Sequence, residues 1–192
     1  AQLERPSAAS AAPAASAAPD LSSLVQPDRV HGSVYTDADI FKRELQQIWH
    51  RVGVYVGHVS EVPQPNDFVM KSIGPEPVLM TRDRDGQIHL MHNRCPHRGN
   101  ARSFTCNYHG WTFGNDGSLR GYPFPSGYAT DKRQSLGLAK VPRVAIYKGF
   151  VFGSLAAEGE SLEEQLGGAR ESIDALCRNS PLGEIEITAG FL

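Results

Sequence analysis

Long apolar runs are missing from this chain: nowhere in its 192 residues is there a stretch approaching the roughly 18 consecutive apolar side chains that a helix needs to cross a bilayer. The Ala-rich start also lacks the basic flank and leucine-rich stretch of a secretory signal, so the expectation is a soluble, cytoplasmic protein with no membrane partner. Cysteine is scarce. Cys95, Cys106 and Cys177 are the only three, an odd number and far too few for a scaffold built on disulfides. Charge of one sign is lacking as well. Nineteen Lys and Arg against 21 Asp and Glu leave a net −2, and no segment concentrates basic residues as a nucleic-acid footprint requires.

What is present divides unevenly. Residues 1–19 hold nine Ala, three Ser and three Pro, with Glu4 and Arg5 the only charges, so residues 1–20 read as a disordered tail that cannot bury a core. Residues 21–51 read as an N-terminal helical segment. Thr36-Asp37-Ala38-Asp39 looks like a helix start, and Phe41, Leu45 and Ile48 follow at helical spacing, which predicts one amphipathic helix to about Arg51. From residue 52 to 155 the pattern changes to short runs rich in Val, Ile, Tyr and Phe: 52–59, 68–73, 78–81, 88–91, 141–147 and 150–155. Between them stand turn signals such as Asp85-Gly86 and Asn115-Asp116-Gly117. The fold class is therefore mainly β, antiparallel, with one helix before the strands and one after. Residues 156–192 begin with a capping-box pattern at Ser161 and Glu164, predict a helix to Arg178 that buries Cys177, and offer a possible strand from Glu184 to Thr188.

The chemistry is concentrated in two short loops, Asn93-Arg94-Cys95-Pro96-His97-Arg98-Gly99 and Cys106-Asn107-Tyr108-His109-Gly110-Trp111. Each supplies one thiol and one imidazole, as Cys-x-His and Cys-x-x-His, and each ends in Gly, as a tight loop close to a bound group does. Two soft thiolates and two imidazoles suit zinc or an iron–sulfur cluster with mixed ligands. The order of the donors favours the cluster. Zinc modules tend to pair like ligands, cysteines and then histidines, whereas in a Rieske [2Fe–2S] centre two cysteines hold one iron and two histidines the other. His89 and His92 on a strand, and His31, His50 and His58 elsewhere, show no ligand spacing.

From about Tyr35 to Leu155, through both loops and the Gly149-Phe150-Val151-Phe152 strand, the sequence resembles the Rieske domain of the large (alpha) subunit of aromatic ring-hydroxylating oxygenases. The resemblance implies a Rieske-type β domain in which Cys95 and Cys106 bind the inner ferric ion, and His97 and His109 the outer, reducible one. It implies supporting roles around the cluster for Arg98, which would offset negative charge, and for Tyr108 and Trp111, which would shield it. The respiratory branch adds a cysteine to each loop; Gly99-Asn100 and Tyr108 stand here instead. Two ferric ions, two sulfides and two thiolates sum to about zero formal charge, against about −2 with four thiolates, so an electron is easier to add.

Two departures qualify the resemblance. Only eight residues, Arg98 to Thr105, separate His97 from Cys106, fewer than the family usually has; extended, they reach about 26–29 Å, enough for both loops to meet one cluster. The seam of a shortened or incomplete connection would lie between Gly99 and Ala101. Residues 156–192 contain no histidine, so these residues cannot supply the two-histidine, one-carboxylate site for mononuclear Fe(II) that the family places in a following catalytic domain. The expectation is the electron-transfer part of such an oxygenase, fed by a ferredoxin or flavin reductase, working beside neighbouring oxygenase subunits and acting on an aromatic substrate through the domain not included. The alternative is a stand-alone Rieske ferredoxin-type carrier.

Overall fold

The computed structural model describes residues 21–93, 103–106, 110–123 and 136–187. The chain divides into two units after Phe41. In the first, β1 (Val25–Gln26) and β2 (Arg29–Val30) form a two-residue ladder, and a single helical turn, α1 (Ser33–Thr36), follows. Helix α2 (Ala38–Glu44) begins two residues after Thr36, because Asp37 is extended and its carboxylate accepts the N–H groups of Asp39 and Ile40.

The expected helix runs from Ala38 to Trp49, two residues short of Arg51, but its last turn is not α. After α2 the chain widens into a π turn over Leu45–Trp49, closed by His50 N–H to Leu45 O at 2.9 Å. One extra residue per turn breaks the 3.6-residue register, so Phe41 and Ile48 remain 51% and 49% exposed instead of forming an apolar stripe with Leu45.

Among the described residues of the second unit, the strands form three antiparallel three-stranded sheets. The central one is β4 (Phe68–Ile73), β5 (Glu76–Arg82) and β6 (Ile88–His92), in that order. A second runs in the order β10 (Arg143–Tyr147), β11 (Phe150–Ser154) and β3 (Val54–His58). Its β10–β11 hairpin turns on Lys148 and Gly149, both at positive φ (50° and 84°), the primed geometry that two-residue hairpins favour. The third comprises β7 (Ser103–Thr105), β8 (Thr112–Gly114) and β9 (Leu119–Gly121). Strands of three residues carry too little periodicity to stand out in a sequence.

Both faces of β5 are covered, which is why Val78, Leu79, Met80 and Thr81 are all buried instead of alternating. Val78 and Met80 join Val56, Val62, Ile73, Leu90, Val141 and Val151 in the main core, toward the β10–β11–β3 sheet. The opposite face meets the third sheet. Thr81 Oγ1 donates to Asn115 O at 2.7 Å, the Phe68 and Phe104 rings pack edge to face at 4.9 Å, and Met91 lies under Gly117. Cross-strand pairing puts Phe68 opposite Thr81 and Leu79 opposite Met91, so these side chains share that face. The third sheet is thus docked by an apolar underside on the back of the central sheet.

The C-terminal helix is split. Ser161 and Glu164 form the expected capping box at the start of α3 (Leu162–Leu166), but Gly167 at φ +46° ends it, and α4 (Ala169–Arg178) restarts after Gly168. The possible strand from Glu184 is not formed: residues 184–187 are irregular. Among the described residues no helix is long and apolar enough to cross a membrane.

Candidate metal centre

The two ligand loops grow from the ends of strands that the central and third sheets hold in place. β6 delivers the first: it ends at His92, and the next residue, Asn93, donates its N–H to Pro77 O at 2.9 Å. Cys95, His97 and Arg98 follow and lie outside the described residues, as do Tyr108 and His109 of the second loop. The connection from Gly99 to Ala101 is outside them too.

The second loop is described at both ends. The last ladder pair of β7 and β8 is Thr105 with Thr112, whose hydroxyls stand 3.0 Å apart. Beyond it, Cys106 N–H donates to Trp111 O at 2.7 Å and Gly110 N–H to Cys106 O at 2.7 Å. Gly110 sits at φ +69°, a conformation that glycine adopts without strain. Trp111 lies against Tyr122 (centroids 5.6 Å) and Phe113 (6.2 Å). Cys106 is half-buried and not in a disulfide.

A thiol at the mouth of a hairpin turn, with an imidazole three residues on, fits a soft metal or mixed-ligand cluster. Among the described residues no group of three or more His, Cys, Asp or Glu converges as a metal site, so no rival centre stands elsewhere in them.

Cys177, His89 and His58 stand in structural surroundings. Cys177 is 3% exposed, on α4. His89 Nε2 lies 2.7 Å from Asp83 Oδ2. Burial opposes ionisation of Asp83, but the His89 hydrogen bond and the amides of Gln87 and Asp85 outweigh it and hold the carboxyl below its ordinary range. His58, which has no sequence signal beyond its place in a strand, is 3% exposed. Its Nδ1 accepts from Ser60 N–H at 3.2 Å, and its ring packs edge-on against Phe150.

With this geometry in hand, comparison with known proteins settles the family. Residues 53–142, which include both Cys-and-His loops, match the Rieske [2Fe-2S] domain. The chain carries a Rieske [2Fe-2S] domain. That domain is of the kind found in large subunits of ring-hydroxylating dioxygenases. The chain is 37% identical to the anthranilate 1,2-dioxygenase large subunit of Acinetobacter baylyi, covering 84% of this chain and 36% of that protein. With the 2-halobenzoate 1,2-dioxygenase large subunit of Burkholderia cepacia it shares 34% identity over 88% of this chain and 40% of the relative. The solved naphthalene 1,2-dioxygenase from Rhodococcus sp., bound to indole, superimposes with a TM-score of 0.72 at 32% identity, covering 81% of this chain and 38% of that one. The chain therefore spans well under half the length of these relatives. The Rieske domain takes in the central sheet and the hairpin that ends in Cys106 and Trp111. Its implied cofactor is a [2Fe–2S] cluster, and the described thiol and turn are compatible with it.

Proposed function

We propose that this chain is the electron-transfer portion of a ring-hydroxylating oxygenase alpha subunit. The reading is carried by the match of residues 53–142, the span that holds both loops, to the Rieske domain. Residues 52–155 are the electron-transfer domain in this reading, preceded by the tail of residues 1–20 and the helical segment 21–51. Residues 156–192 lead into a catalytic domain beyond them.

Cys95 and Cys106, as thiolates, and His97 and His109, through one ring nitrogen each, would hold the cluster. When bound, the cluster takes up and passes on one electron at a time. Each histidine keeps its second ring nitrogen to hold or release a proton as the charge on the site changes. Arg98 offsets negative charge beside the loops, and Tyr108 and Trp111 exclude water from them.

The electron donor in this reading is a ferredoxin or flavin reductase. The acceptor is mononuclear Fe(II) in the catalytic domain of a neighbouring oxygenase subunit, in the cytoplasm. The substrate is an aromatic compound; the relatives named for anthranilate, 2-halobenzoate and toluate favour a carboxylated ring. Anaerobic purification with iron and acid-labile sulfide quantitation is the test. Two of each per chain are expected, whereas zinc without sulfide, in a colourless protein, would overturn the reading.

A further inference from the structure

We infer that Tyr122 is a positioning residue for the second ligand loop, holding Cys106 in place through the ring of Trp111. The inference rests on the cluster assignment above. Beyond the ladder pairs Thr105–Thr112 and Thr112–Gly121, the next residues across the three strands are Cys106, Trp111 and Tyr122. They form a row at the end of the third sheet. Trp111 is the middle member, bonded on one side through its carbonyl to Cys106 N–H at 2.7 Å and stacked on the other against Tyr122 at 5.6 Å, with the rings inclined by 38°.

Pro123 extends the buttress. A Cβ built on Gly110 would meet its ring at 3.8 Å, so Tyr122 and Pro123 together back the outgoing limb of the loop, from Gly110 to Trp111. Among the described residues β9 is the edge strand of its sheet, with no further strand of that sheet behind this row. The aromatic stack therefore supplies lateral support to Trp111 that a ladder would supply elsewhere. A shift of Trp111 passes directly to Cys106 through their shared hydrogen bond, and the Gly110 N–H to Cys106 O bond couples Gly110 to the same residue. Tyr122 acts on Cys106 through Trp111.

The test uses the full chain with its cluster. The wild-type protein is first shown to hold two irons and two sulfides; failure there defeats the cluster assignment, not the role of Tyr122. Tyr122→Leu and Tyr122→Phe are then compared by the EPR spectrum of the reduced cluster and by the rate of iron release to a chelator, with circular dichroism confirming the fold. Y122L is expected to release iron about two- to tenfold faster, with altered g-values, as the loss of one aromatic pair implies, while Y122F behaves as wild type. Wild-type release and an unchanged spectrum in Y122L would overturn the inference. So would equal impairment in Y122F, which would assign the effect to the hydroxyl. Should Y122L fail to fold, Tyr122→Met takes its place and is read in the same way.

Discussion

Cys106 and Cys177 are both thiols outside disulfides, and their surroundings separate their roles. Cys106 stands half-buried at a hairpin mouth beside Trp111, whereas Cys177 is sealed on α4. Cys106→Ser and His109→Ala are each expected to abolish the visible spectrum of the cluster, since the lost donor leaves iron under-coordinated; a full spectrum in His109→Ala would remove that residue from the ligand set. Cys177→Ser should keep the spectrum and lose about 1–2 kcal/mol in a urea titration, from burying a hydroxyl where a thiol packed. Asp83 gives a pH dependence with a definite sign. Its folded carboxyl titrates below the ordinary value, so its stabilisation is fully present above that value and fades as pH falls through the depressed one. Asp83→Asn should therefore cost about 1–3 kcal/mol at pH 7, with the difference from wild type shrinking toward pH 3.

At the scale of elements, the β10–β11 hairpin turns on two positive-φ residues and α3 starts on a capping box. Gly149 combines φ +84° with close approach to the His58 imidazole, where a Cβ would collide. Gly149→Ala should lower stability by about 2 kcal/mol or more, from strain and displacement of that ring, measured by the denaturant midpoint. Ser161→Ala removes the hydroxyl that accepts Glu164 N–H at 3.2 Å and should cost about 1 kcal/mol. Arg143 ties four segments together, donating to Ala156 O, Glu160 O, Arg51 O and Ser154 Oγ. It anchors the segment leading into α3 to the edge of the β10–β11–β3 sheet.

For the molecule as a whole, the layered arrangement makes the ligand hairpin a passenger of the central sheet. Its underside is fixed by Phe104 against Phe68 and by Asn115 against Thr81. Met80, fully buried between the layers, is the sensitive position: Met80→Ala should cost about 2–5 kcal/mol by leaving a cavity in the shared core, read by thermal unfolding. The proposed oxygenase role makes a prediction on the same scale. The reading frame containing this chain is expected to continue into two histidines and a carboxylate that hold mononuclear iron, and a frame closing at residue 192 would favour the separate electron carrier.

The sequence by itself determined the chemistry and the class of fold. Alternating Cys and His in two glycine-ended loops points to a soft metal or a mixed-ligand iron–sulfur cluster, and strand alternation with Asp-Gly and Asn-Asp-Gly turns announces antiparallel β structure. Only the tertiary structure decided which residues carry the loops. Trp111 meets Tyr122 because β8 and β9 pair, and Phe68 meets Phe104 across 36 positions because two sheets stack. It also altered helices where local pattern ran on: the π turn after Glu44 and the break at Gly167 arise from packing and backbone geometry at single residues, which a 3.6-residue period does not encode. Ligand identity is a local property of the chain, while support and burial are set by partners distant in sequence.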